Sequence, residues 1–146
     1  MEKAGFGGRF VAWFLDGIFI GILGLVGGFI LGGLVYLVGG SESDILIILT
    51  IVLSCVLALI LMFIQFVYFG YFWSKSGQTI GMKLLNMKVV RRDNEPLTFI
   101  RAGLRGTVGY WISSLIFNLG FIWAAFDEDQ ETWHDKIFDT WVVRVE

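Results

Sequence analysis

The charged residues of this chain are spaced so unevenly that they settle its class before any other feature does. No Asp, Glu, Lys or Arg occurs in residues 17–41 (25 residues), 45–74 (30 residues) or 106–126 (21 residues), so all 24 charges fall on the remaining 70 of 146 positions. A soluble domain interleaves charge with apolar residues along every amphipathic element, whereas uncharged apolar runs of about 18 or more read as membrane-spanning helices. That excludes a soluble enzyme, a disordered tail and, since Cys55 is the single cysteine, a disulfide-bonded secreted scaffold. The sequence predicts an all-α polytopic membrane protein with two long transmembrane helices, a third and shorter membrane segment, cytoplasmic amphipathic helices and a small β element. Within one membrane domain over 1–146, helix 1 is expected at about 9–38, helix 2 at about 45–73 and a basic amphipathic and β linker at 75–100. The third membrane segment is expected at about 101–126 and an acidic C-terminal helix and strand at 127–146.

The net charge of -2 averages segments of opposite sign. The turn Gly39-Gly40-Ser41-Glu42-Ser43-Asp44 carries two acids and no base, while residues 75–105 hold seven Lys and Arg against Asp93 and Glu95. By the positive-inside rule the linker and the N-terminus face the cytoplasm of a cell membrane and the acidic turn faces outward. Lys3 and Arg9 lead straight into the first apolar stretch, without a short apolar region and small-residue cleavage site, so no cleaved leader is expected.

Gly17, Gly21, Gly24, Gly28 and Gly32 fall on one face of helix 1, a small-residue stripe that lets another helix approach closely. Helix 2 ends in Phe66, Tyr68, Phe69, Tyr71, Phe72 and Trp73, an interfacial aromatic belt, and its buried Gln65 is expected to make an interhelical hydrogen bond. In the linker, Ile80, Leu84 and Met87 form an apolar stripe with Lys83 and Lys88 off it, the pattern of a surface helix. Residues 88–98 then read as a strand, a polar turn and the start of a return strand limited by Pro96.

An internal repeat bears on the topology. Residues 79–91 align without gaps onto residues 132–144, with five of thirteen positions identical. Each copy reads as a short surface helix feeding a strand, and two such strands are expected to pair, which requires them on the same side of the membrane. A simple span at 106–126 places them on opposite sides. The third segment is therefore either a span or a re-entrant hairpin turning near Asn118-Leu119-Gly120, and the repeat favours the hairpin.

Among the charges, Arg9 and Asp16 lie seven residues apart on helix 1, on one side of it and about 10.5 Å apart along the axis. Arginine reaches toward the helix N-terminus, away from Asp16, so Asp16 is expected to seek another partner: Arg101, Arg105 or a bound cation. A carboxylate inside the membrane is an ion-ligand or proton-carrier hypothesis; in the headgroup zone it is merely solvated, and residues 17–38 are long enough to span without it. Asp127-Glu128-Asp129-Gln130-Glu131 lacks the glycine and terminal glutamate of a calcium loop and reads as the acid-dressed start of a helix. His134 beside Asp135 is too sparse a set for a metal, and Cys55 and His134 sit in unlike environments, so no catalytic, cofactor, nucleotide or nucleic-acid site is expected.

Three blocks together resemble a known group: Gly8-Arg9-Phe10-x-Ala12-x-x-x-Asp16; Gly77-Gln78-Thr79-Ile80-Gly81-x-Lys83 with Val89-Val90; and Thr132-Trp133-His134-Asp135-Lys136 with Thr140-x-Val142-Val143. They resemble the RDD family of small integral membrane proteins, named for one arginine and two aspartates. The resemblance implies that Arg9, Asp16 and Asp135 are the signature residues, with Asp127 also in the matching region and Arg101, Arg105 and His134 as neighbours. Asp139 stands where a small residue often precedes the threonine, which implies a looser start to the last strand. The resemblance implies transport of unidentified ligands or sodium–proton exchange. Two functions follow as expectations: proton-coupled exchange of a monovalent cation by a homo-oligomer through Asp16, or a non-enzymatic accessory, regulatory or assembly subunit bound to a larger membrane-protein partner.

Overall fold

The computed structural model describes residues 2–38 and 43–145, so most of the acidic turn expected at 39–44, and position 146, lie outside the described residues. Two helices of 33 residues each, α1 (Phe6–Val38) and α2 (Asp44–Ser76), are both long and apolar enough to cross a membrane. Side chains far from their shared end are widely exposed, as with Phe29 at 80% and Ile45 at 77%. Exposure of that kind is stable only in lipid, where a helix satisfies its own backbone. The two helices touch at Gly27, where an added Cβ would come within 2.8 Å of Leu57. α2 stops at Gly77, whose φ of 71° permits its N–H to cap the carbonyl of Trp73.

The third apolar stretch is a hairpin. Helix α4 (Phe99–Leu104) passes through a π-helical turn (Arg105–Gly109) into α5 (Tyr110–Ser114); after a break, α6 (Leu119–Ile122) and a 3-10 turn (Trp123–Ala125) fold back at 104°. The chain reverses at Phe117 and Asn118, with φ of 46° and 59°. Gly120 lets the arms close, since a Cβ there would lie 2.5 Å from Cα of Ser113. The hairpin packs on Phe66, Phe69 and Gly70 of α2 and on Trp13 of α1, and Gln65 donates to the Gly106 carbonyl at 2.8 Å, the interhelical bond expected of it.

Both sides of the hairpin return to one end of the α1–α2 pair. β1 (Met87–Arg91) and β2 (Thr140–Arg144) pair antiparallel, from Met87 opposite Arg144 to Arg91 opposite Thr140. The N-terminal residues extend this unit, with Ala4 donating to the Val142 carbonyl and Arg144 to that of Glu2, each at 2.9 Å. The repeat is structural. Its copies superpose α3 (Ile80–Leu84) on the start of α7 (Trp133–Phe138) and β1 on β2, with Thr79 and Thr132 as N-caps and Asn86 and Asp139 as left-handed residues of φ 50°.

Three local expectations fail in whole or in part for physical reasons. No return strand follows Pro96, because β2 takes the edge of β1 and Thr98 instead caps α4, accepting from the Arg101 N–H. The Ile80, Leu84 and Met87 stripe lies only partly on α3: Leu84 is 66% exposed and its repeat counterpart Ile137 51%, the outward apolar face of a surface helix, but Met87 belongs to β1. α3 docks through Gly81 and Met82, since its backbone approaches α1 so closely that a Cβ on Gly81 would meet the Ala12 carbonyl oxygen at 2.4 Å. The acids at 127–131 form a loop, and α7 begins after them at Trp133. Gly81→Ala drives a methyl into backbone that cannot rotate aside, so it is expected to cost about 3 kcal/mol, read as a lower unfolding temperature in detergent.

Candidate functional site

Asp135 is the centre of the buried polar cluster. It and Arg105 are fully enclosed, and Arg9 is 9% exposed. Arg9, one turn into α1, donates from Nη1 to Asp135 Oδ2 at 2.8 Å, from Nε to the Ala4 carbonyl at 2.9 Å and from Nη2 to the Val142 carbonyl at 3.2 Å. Arg105, carried by the π-helical turn, donates from Nη2 to Asp135 Oδ1 and from Nε to Thr140 Oγ1, and its guanidinium lies 4.4 Å from the Trp73 ring centroid. Thr132 and Asp135 form a capping box on α7, and the Thr140 hydroxyl also donates to Asp135. One carboxylate thus joins α1, the hairpin, α7 and β2. Burial alone pushes the Asp135 carboxyl up, but the two guanidinium groups outweigh it and hold the acid far below the usual carboxylate range.

Asp16 has a separate and parallel job. Its Oδ2 accepts from the Thr79 hydroxyl at 2.5 Å, and its Oδ1 accepts from the Gly81 N–H at 2.9 Å and the Tyr68 hydroxyl at 2.8 Å. In α7 the acid that meets the N-cap threonine is Asp135, three residues on; at the equivalent position α3 has Met82. Asp16 supplies from α1 what the first repeat lacks. The expected partners Arg101 and Arg105 are both engaged elsewhere, which corrects that expectation. Arg105 is held by Asp135 and Thr140, while Arg101 donates to the Phe138 carbonyl at 3.0 and 2.7 Å and pairs with Asp139, placing a cation at the C-terminus of α7.

The remaining expected residues divide clearly. Asp127 stays outside the cluster, accepting from the Lys136 amine and from the Glu131 N–H at 3.0 Å. Asp139 does not loosen the last strand: it takes the left-handed turn outside, and Thr140 behind it is fully buried. An added Cβ on Gly17, Gly21, Gly24, Gly28 or Gly32 would meet nothing within 4 Å, and the last four border an open apolar groove facing away from α2. Sequence reasoning missed Thr79, Thr132, Thr140, Tyr68 and Glu131, the last buried and bonded at 2.5 Å to both Arg92 and Trp141. The two N-cap threonines were visible as an identity in the repeat; nothing in the sequence singled out Tyr68.

His134 is buried between the rings of Tyr110 and Phe121, with Nδ1 2.9 Å from the Ser113 hydroxyl. Burial lowers its pKa to about 3, against the attraction of Asp135, so it is neutral at physiological pH. An unfolded histidine takes up a proton below about 6.5 while the folded one does not, so this group's contribution to stability falls as pH drops from 6.5 toward 3. Between pH 6.5 and 5 the loss is expected to be about 2 kcal/mol, and His134→Gln is expected to flatten that part of the stability–pH curve.

A cavity of about 210 Å³ adjoins the cluster, lined by Arg9, Arg105, His134 and Asp135 together with Phe6, Phe10 and Trp13 of α1 and Phe121 of α6. The family model of the RDD family matches residues 3–139, which include all the residues of the cluster apart from Thr140 and Val142. The protein named "Uncharacterized protein YxaI" of Bacillus subtilis (strain 168) is 34% identical over 152 residues, covering 98% of this chain and 99% of its own length. No solved structure matches the chain.

Proposed function

The chain belongs to the RDD family, and on that footing we propose that it is a non-enzymatic accessory or assembly subunit of a cell-membrane complex. In this reading the folded unit at the cytoplasmic end fixes the angle of two spans, and the glycine-lined face of α1 is left for a helix of a larger membrane protein or of a second copy. One observation carries it: both family-signature carboxylates are saturated by groups that hold the fold. Asp135 is shared by two arginines and two threonines, and Asp16 by two hydroxyls and an N–H.

Cation exchange is the second reading, supported by the burial of Asp16, which is 3% exposed on a helix entering the membrane. It demands that Asp16 release its donors each cycle. Hydroxyl oxygens can turn to ligate a cation, but the Gly81 N–H presents only a positive hydrogen and must withdraw. The two readings separate in liposomes containing this protein alone. Neither wild type nor Asp16→Asn is expected to show sodium-driven proton flux, while a membrane protein that co-purifies with wild type is expected to be lost from Gly24→Leu and Gly28→Leu. Wild-type flux that disappears in Asp16→Asn overturns the accessory reading.

A further inference from the structure

Eight of the eleven Lys and Arg residues form an ion pair with an acid. Among the described residues the three that do not are Lys75, Lys83 and Lys88. They belong to three different elements, α2, α3 and β1, yet the fold gathers all three around one end of α2.

Lys75, in the last turn of α2, donates to the Tyr71 hydroxyl at 2.9 Å and stands 5.1 Å from the centroid of that ring. Tyr71 meets the Phe72 ring edge-on at 5.5 Å, and Lys83 of α3 stands 5.9 Å from the Phe72 centroid. Lys88 of β1 lies beside the helix cap, its Cβ 3.6 Å from where a Cβ on Gly77 would stand. Lys75 and Lys83 are exposed and Lys88 is half-buried. The carbonyl end of a helix offsets only about half a unit of positive charge, so this end of α2 keeps an excess that attracts an anion.

The surface beneath the lysines is apolar. Stepping back from Lys75 by four residues at a time, Tyr71, Val67 and Phe63 are neighbours on the helix surface and all are exposed, as is Leu84 beside Lys83. From Lys75 to Phe63 the helix runs about 18 Å, which matches the roughly 15 Å hydrocarbon depth of one leaflet. An acidic protein segment would match the lysines and leave these apolar residues uncovered. A lipid matches both, with its charge at the interface and its chains below.

We propose that Lys75, Lys83 and Lys88 form a site for the phosphate head of an anionic phospholipid in the leaflet around this end of α2, with an acyl chain along Tyr71, Val67 and Phe63. Phosphate oxygens accept from the ammonium groups, and the bond to Tyr71 holds Lys75 at the interface. Each lysine is expected to contribute about fivefold to the affinity for an anionic lipid, and the three together about a hundredfold. The site does not rest on the accessory reading; it needs only that α2 crosses a bilayer.

The test is native mass spectrometry of the full chain in a neutral detergent, titrated with dioctanoylphosphatidylglycerol, dioctanoylphosphatidylcholine or glycerol 3-phosphate. The anionic lipid is expected to bind at least about tenfold more tightly than the zwitterionic one, and glycerol 3-phosphate, which has the charge without the chains, not to bind detectably. Replacing Lys75, Lys83 and Lys88 together by Gln is expected to weaken the anionic lipid about a hundredfold. Replacing the paired Lys3, Lys136 and Arg144 by Gln lowers the net charge equally and is expected to leave its binding within about twofold. Equal binding of the two lipids, glycerol 3-phosphate binding as tightly as the anionic lipid, or equal losses in the two triple variants each overturns the proposal; the comparison of the three ligands on wild type decides it even if a variant does not fold.

Discussion

Asp135→Ala is expected to leave little folded protein. The substitution removes the carboxylate that Arg9 and Arg105 share and strands two guanidinium groups inside the protein beside each other. Breaking a buried pair by deleting one partner typically costs 3–5 kcal/mol, because the remaining charge is neither solvated nor compensated. Here two charges are stranded and the α7 capping box is lost with them, which adds about 1 kcal/mol. The sum is comparable with the whole stability of an ordinary domain. Asp135→Asn preserves shape and an acceptor for the cap but not the charge, so it is expected to fall between alanine and wild type. Replacing Arg105 and Asp135 together by Met and Leu is expected to be milder than Asp135→Ala, since the double change removes one charge of each sign. The measurement is the yield of monodisperse protein and its unfolding temperature in detergent. If Asp135→Ala unfolds within a degree or two of wild type, the cluster is not what joins α1, the hairpin and β2.

The same cluster shows where the sequence was legible and where it was not. The charge-free runs located the bodies of α1 and α2, because a span must exclude charge, while the first eleven residues of α1, with Arg9 and Asp16, lie ahead of the run. The repeat foretold the β1–β2 pairing, and its gap-free alignment keeps equivalent positions in step, down to the left-handed residues Asn86 and Asp139. Hydrophobic periodicity marked the outward face of α3 but not its docking face, because that helix packs by backbone approach, for which the informative residue is a glycine. The glycine stripe on α1 was visible but its use was not: the contact with α2 is made by Gly27, outside the stripe. Partners of single charges were the least legible. Arg105 and Asp135 lie thirty residues apart and are brought together only by the hairpin, and Asp16 needs donors from Tyr68, Thr79 and Gly81 on two other elements. No local rule of spacing reaches across such distances.

Asp16 gives the second large effect, and a graded one. Asp16→Ala is expected to cost about 3 kcal/mol: it strips the acceptor from the Thr79 and Tyr68 hydroxyls and the Gly81 N–H, and a buried donor left alone typically costs 1–3 kcal/mol. The hydroxyls recover part of this by rotating, whereas the Gly81 amide cannot turn. Asp16→Asn keeps one carbonyl oxygen for Gly81 and Tyr68 and offers its amide to Thr79 Oγ1, which can accept as well as donate, so about 1 kcal/mol is expected. The order alanine well below asparagine, with asparagine near wild type, identifies Asp16 as the missing cap of the first repeat; equal losses in the two variants would instead mean that its charge is what the fold requires. Hydrogen exchange localises the effect. In Asp16→Ala the amides of α3 are expected to lose protection while those of α7, capped by its own Asp135, keep theirs, because the two helices are repeats of one design that differ in where the acid comes from.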